Sequence, residues 1–251
     1  MEKLKGGLYQ QHPVFKPAPA DGRVWRYLDL AKLVSLISRR ALYFPLASTL
    51  DDPYEGVLPR LLETMLPRDV IPVFKTSPVT SFVSCWHLNS LESAAMWQIY
   101  SKFNEGVAIQ STFSRLTASF TGFAQVPKGL SRPTAIHAGM VYYIDYDREV
   151  FQDKHRWLNG LAPLMHKRRS FAYESEVRAV CTIANNVPSR NELTPKCRGI
   201  HVDCDLGQLV EAVYVAPLAP TFFRECVEAV VRQFDLNVRV IQSDLMSRPL
   251  Y

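Results

Sequence analysis

The sequence predicts an α+β protein, a single domain behind a short N-terminal arm, on three observations. Strand-like and helix-like segments alternate without the regular βα period of a doubly wound sheet. The composition is that of a globular chain: of 251 residues, 47% are hydrophobic and 21% charged, enough for a sizeable core. Residues 1–22, rich in Pro, Gly and Lys, carry no hydrophobic period, so the fold is expected to occupy 23–251.

In chain order, VWRYL (24–28) reads as a strand, and Asp29 is placed to cap a helix on which Leu33, Val34, Leu36 and Ile37 recur at helical spacing. ALYFP (41–45) returns as a strand, DDPYEG (51–56) as a turn, and residues 57–66 as a helix leading into a Pro-punctuated stretch. VTSFVSCW (79–86) is too apolar for a solvated face and is expected to be a core strand. Asn89 or Ser90 can cap a helix running to about residue 102, on which Trp97 and Tyr100 share a face, with Trp97 and Phe103 as core residues.

GVAIQS (106–111) is a further strand, followed by a helix over 113–120, a strand over 139–145, a helix over 150–166 and strands over 174–183 and 200–202. EAVYVAP, a helix over 220–234 and VRVIQS close the fold. Two aperiodic segments, 119–133 and 185–198, read as loops suited to flank an active site.

The formal charge of +5 and isoelectric point near 8.9 mildly favour polyanionic or phosphate-bearing partners. Five cysteines without a C-x-x-C pair argue for reduced, mostly buried thiols rather than a disulfide framework. The N-terminus lacks an apolar export core and no apolar run reaches spanning length, so the expectation is a soluble cytoplasmic protein with no membrane partner. The phosphate-loop, dinucleotide-binding, zinc-protease and nucleophile-elbow motifs are absent, and the six histidines lie far apart, so no metal site is expected.

Three stretches carry chemistry. Trp86 and His87 sit where a strand enters a turn, a position from which side chains line pockets, with an ordinary surface histidine as the equal alternative. In DDPYEG, Asp51, Asp52 and Glu55 gather negative charge; the turn explains them, and so does the orienting of a basic side chain such as Arg26. In KRRSFAYESEVRAV (167–180), a period of two puts Phe171, Tyr173, Ser175 and Val177 on one face. Ala172, Glu174, Glu176 and Arg178 fall on the other. That face is either solvated, with Arg178 offsetting the acids, or it turns an ionised carboxylate toward a cleft to stabilise positive charge on a sugar.

Taken together and in order, these stretches resemble a bacterial family of unknown function, domain of unknown function 2971. The residues are Trp25-Arg26-Tyr27, Leu42-Tyr43-Phe44, Asp52-Pro53-Tyr54-Glu55, Ser84-Cys85-Trp86, Met96-Trp97 with Tyr100, Gly106 to Ile109, and Lys167, Phe171, Glu174, Glu176 and Arg178. The layout also resembles that of ADP-ribosyltransferases. That likeness implies a mixed or antiparallel split β-sheet core flanked by helices, and NAD as a substrate.

Carried over residue by residue, it implies Arg26 on the NAD ribose or phosphates, with Tyr43, Tyr27 or Trp97 against nicotinamide. It puts Glu176, with Glu174 beside it, in the catalytic role on the ribose. Trp86, His87, Tyr100 and Arg178 complete the implied cofactor-binding set. The sequence departs from that layout in having Arg rather than His on the first strand, and no Ser-Thr-Ser type motif beyond Ser84.

The resulting expectation is an NAD-dependent ADP-ribosyltransferase-like enzyme, a toxin or phage-defence effector. It would act on a protein or nucleic acid, with an antitoxin or chaperone as a restraining partner. The alternatives are a non-catalytic nucleotide- or nucleic-acid-binding module with Lys167, Arg168 and Arg169 as phosphate contacts, and an interaction protein that docks a partner.

Overall fold

A computed structural model describes residues 7–101, 104–151, 159–186 and 197–247. These fall into two compact units: Met1–Ala18, Tyr43–Cys85 and Gly122–Val202 form the first, and Pro19–Leu42, Trp86–Thr121 and Asp203–Tyr251 the second. Helices and both parallel and antiparallel strand pairs occur in each, as an α+β chain requires. No helix among the described residues is long and apolar enough to cross a membrane.

The second unit begins with β1 (Arg23–Asp29), whose last residue caps α1 (Leu30–Arg39): the Asp29 carboxylate accepts from the Lys32 amide at 2.7 Å. The apolar spacing expected for this helix buries Leu33, Leu36 and Ile37. Four strands have residues in both units, among them β2 (Ala41–Pro45) and β3 (Ser81–Leu88). α4 (Ala94–Tyr100), β4 (Gly106–Thr112), α5 (Phe113–Ala118) and β5 (Phe120–Gly122) follow.

The chain returns to the second unit with α6 (Leu206–Leu209), β11 (Ala212–Val215), α7 (Thr221–Gln233) and β12 (Arg239–Gln242). The strands there lie in the order β12-β11-β4-β1-β3. β1 runs antiparallel to β4 over its whole length, Arg26 opposite Ile109, while β12 runs parallel to β11. α7 buries Phe223, Val227 and Val231, four residues apart and so on one face.

In the first unit, α2 (Arg60–Met65) and α3 (Ile71–Thr80) precede β3. After them come β6 (His137–Met140), β7 (Tyr142–Ile144), β8 (His166–Arg168), β9 (Glu176–Thr182) and β10 (Gly199–Cys204). The order is β3-β9-β6, with β6 antiparallel to β9 and Gly139 opposite Arg178. β7 and β8 form a separate parallel pair, and β2, β10 and β5 a three-stranded sheet in that order. The arm is tied down where it is described: Val14 and Phe15 are core residues, and the Met140 amide donates to the Lys16 carbonyl at 2.7 Å.

Several expected boundaries move for identifiable reasons. α3 occupies the Pro-punctuated stretch and runs through Val79 and Thr80, so β3 starts two residues late; Pro72 sits in the first turn, where its missing N–H costs nothing. The α4 cap is Ser93, whose hydroxyl faces the Met96 amide, rather than Asn89 or Ser90. Trp97 is fully buried, whereas Tyr100, three residues on and the last residue of the helix, is half exposed. The single strand expected over 139–145 is two, β6 and β7, in different sheets.

Part of the segment expected as a loop from 119 is β5. Phe103, the middle of the helix expected over 150–166 and most of the loop at 185–198 lie outside the described residues; what is described of 150–166 ends in a 3-10 turn over Ala162–Met165 and the start of β8. None of the five cysteines is in a disulfide, and Cys181 and Cys204 are buried.

Candidate active site

The KRRSFAYESEVRAV segment is not one strand. Lys167 ends up on β8, Arg169–Glu174 wind into a 3-10 turn, Ser175 takes a left-handed conformation (φ 41°), and β9 begins at Glu176. The period of two therefore holds for Glu176 and Arg178 but not for Glu174. Glu174 reaches the same place from the turn, by folding back.

What assembles there is a buried charge cluster in the first unit. Arg178, 1% exposed, donates from Nε to Glu176 Oε1 (2.7 Å) and from Nη2 to Glu176 Oε2 (3.0 Å). It forks onto Glu55 through Nη1 and Nη2, both at 2.7 Å, and Nη1 also reaches the Leu164 carbonyl at 2.7 Å. These five contacts use all five donors of the guanidinium.

Lys167 Nζ donates to Glu174 Oε2 and lies 3.4 Å from Glu176 Oε2 and 3.5 Å from Glu55 Oε1. Three carboxylates thus face two cations, all inside the protein. Burial favours the neutral acid at Glu176, but the Arg178 guanidinium with its hydrogen bonds, the Lys167 ammonium and the Cys85 thiol outweigh it and hold the carboxyl at about 2. Burial by itself lowers Lys167; Glu176, Glu174 and Glu55 reverse that and raise it. The Cys85 thiol is pushed well up by burial and by Glu176 beside it.

The acidic turn supplies the distant half of the cluster. Gly56 closes it with φ 74°, which only glycine adopts freely, and the Tyr54 amide donates to Asp52. Its acids do orient basic side chains, and those are Arg178, held by Glu55, and Arg168, held by Asp52 at 2.7 Å. Tyr143 steadies the start of β9 by accepting from the Glu176 amide at 2.8 Å.

Neither Glu55 as a partner of Arg178 nor Lys167 as a hub follows from sequence spacing. A Lys and an Arg close in sequence to two carboxylates signal a charge cluster, but which acid 123 positions away joins it is decided by the fold.

The remaining predicted residues are placed as follows. Lys167 is buried in the cluster, Arg168 is paired with Asp52, and Arg169 pairs with Glu149 at 2.7 Å. Tyr43 is 44% exposed on β2, its ring lying over Gly199 and 5.2 Å from His201; an added Cβ at Gly199 would overlap the tyrosine ring.

In the second unit, Arg26 lies 5.7 Å from the buried Trp86 ring in a cation–π arrangement, and Tyr27 packs 6.4 Å from the buried His87. Trp25, Tyr27, Met96, Trp97 and Ala108 form a core cluster with Ala216. Within it the Tyr27 hydroxyl accepts from the Ser93 amide and Trp97 Nε1 donates to Glu92. Tyr100 is half exposed at the end of α4. Among the described residues no group of three or more His, Cys, Asp or Glu is arranged to hold a metal ion.

No family model matches the chain, and no curated protein matches it. Among solved structures it is similar to Thermus sp. 2.9 DarT in complex with ADP-ribosylated ssDNA, at 9% identity and a TM-score of 0.40, over 91% of this chain and 97% of that one. It is also similar to Thermus sp. 2.9 DarT in complex with carba-NAD+, at 10% identity and a TM-score of 0.38, over 90% of this chain and 97% of that one. A likeness of that size assigns no family to the chain.

Proposed function

We propose that this chain is an NAD-dependent ADP-ribosyltransferase-like enzyme, a toxin or phage-defence effector, that transfers ADP-ribose to a protein or nucleic acid. The observation that carries the reading is the charge cluster. Motif residues from the D-P-Y-E turn and the K-x-x-x-F-x-x-E-x-E-x-R run, far apart in sequence, meet around a carboxylate held ionised at about 2.

Cleavage of the nicotinamide–ribose bond moves the bonding pair onto a cationic pyridinium, which leaves as neutral nicotinamide, and puts positive charge on the sugar. That step needs a fixed negative charge more than a proton donor. Glu176 meets this requirement at any pH above its low pKa, and the cluster's one carboxylate in excess of its cations favours a positive centre beside it. The acceptor's nucleophile then bonds the sugar carbon and loses its proton.

A second reading rests on the saturation of Arg178 and the engagement of both Glu176 oxygens. On it the cluster is a structural tie, and the chain a non-catalytic module that binds a nucleotide or nucleic acid. Incubation with NAD and with protein, single-stranded and duplex nucleic acid as acceptors separates the two, nicotinamide release being the readout. The enzyme reading expects release that falls on the order of a hundredfold in Glu174→Gln and Glu176→Gln proteins whose melts show them folded. Absence of release with every acceptor overturns it.

A further inference from the structure

Beside the carboxylate cluster, the first unit presents flat groups in succession. The Arg168 guanidinium lies 4.7 Å from the Tyr54 ring centroid and 5.2 Å from that of Phe171. Phe171 and Tyr173 follow at 6.3 Å with an interplanar angle of 34°. Tyr54 packs edge-on against Tyr146, which is buried and braces it from behind. The buried Asp52 grips Arg168 from both Nε (3.3 Å) and Nη2 (2.7 Å), so the guanidinium plane is set before any ligand arrives. Yet Tyr54 and Tyr173 are 38% and 50% exposed.

We infer that this strip, Tyr54, Arg168, Phe171 and Tyr173, stacks the unpaired bases of a single-stranded nucleic acid. Aromatic rings and arginine planes are the two side-chain surfaces on which splayed bases stack, and here one arginine plane lies against two rings with a third beyond. A duplex keeps its base faces covered and has nothing to offer such a strip. A cationic peptide would meet Arg168 at its centre, whereas a polyanion is drawn to a chain of formal charge +5.

Phosphate contacts are at hand on the rim. Arg169 pairs with Glu149 and Arg148 with Asp145, both in exposed pairs that exchange for phosphate at little cost. The role of this segment is therefore base stacking by Arg168 and the rings, with phosphates left to Arg169 and Arg148. The buried Lys167 is not available for them. The inference stands on the strip and not on NAD cleavage; where cleavage occurs, it names the class of acceptor.

The test is fluorescence polarisation without NAD, using a labelled mixed-sequence single strand of DNA, its duplex, and adenosine monophosphate as competitor. The single strand is expected to bind more tightly than the duplex. Tyr173→Ala and Tyr54→Ala should each weaken it roughly tenfold, and Arg168→Lys, which keeps the charge and loses the plane, should weaken it as well. Tyr173 is half exposed, so its variant should keep the parent melting temperature and report on binding alone. Absent binding at low salt, equal affinity for strand and duplex, or undiminished binding by a folded Tyr173→Ala protein would each overturn the inference. So would displacement of the strand by adenosine monophosphate at comparable concentration, which assigns the strip to a free nucleotide.

Discussion

Arg178 shows how much one residue can hold. It is buried, and every donor it has is used by Glu55, Glu176 or the Leu164 carbonyl. Replacing it with Met removes one of two cations from a cluster with three carboxylates, and breaking a buried pair in this way costs about 3–5 kcal/mol. The pH dependence should then change sign.

In the parent, the folded-state pKa of Glu176 lies near 2 against an ordinary value near 4.5, so its contribution is complete above about 4.5 and is lost as pH falls toward 2. The shift corresponds to about 3 kcal/mol. In the Arg178→Met protein the uncompensated carboxylates bind protons more readily folded than unfolded, so mild acidification should stabilise it. Urea unfolding at a series of pH values reads both slopes; parallel curves for parent and variant would show that the cluster does not work as described.

Among the elements, α1 offers the simplest case. Asp29→Ala should cost about 1 kcal/mol through the lost cap on the Lys32 amide, since the accompanying Lys32 pair is exposed and adds little; thermal melts read it. β10 offers another. Gly199→Ala forces the Tyr43 ring off the strand, a small-to-large change worth about 1–3 kcal/mol, and a Tyr43→Ala partner substitution should restore most of it. No recovery in the double variant would mean that the glycine serves the backbone alone.

These elements also show what a sequence discloses. β1, α1, β4, α7 and the acidic turn were legible because cap, period and turn chemistry all act within a few residues. α3 was not, because Pro72 and Pro78 read as breaks, although one falls in the first turn and the other in the last. The period of two places Glu174 on a strand it does not join, since nothing local announces that Ser175 takes φ 41° and folds the turn back. Lys167, Glu174, Glu176 and Arg178 were visible as a charged run; their partner Glu55 was not, because only the packed chain brings residue 55 to residue 178.

On the scale of the molecule, neither compact unit is a continuous stretch of chain, and this has a consequence for cutting it. The core of the first unit takes Val14, Phe15, Ala47, Leu62, Phe74 and Val83 from before residue 121, and Val141, Ile144, Phe151, Leu164, Met165 and Val180 from after it. In the second, β4 pairs with β1 on one side and with β11, a hundred residues on, along the other, Ile109 facing Val213.

A cut between Thr121 and Gly122 therefore halves both cores. Each fragment keeps apolar faces with nothing to cover them, and a partial core does not offset the conformational entropy of ordering the chain. Fragments 1–121 and 122–251 should each lack a cooperative thermal transition by circular dichroism. Mixed at equal concentration, they should regain one, because every missing partner is then present. A cooperative melt from either fragment alone would mean that one half carries a self-sufficient core, and the interleaving of the two units would then be a feature of chain path with no part in stability.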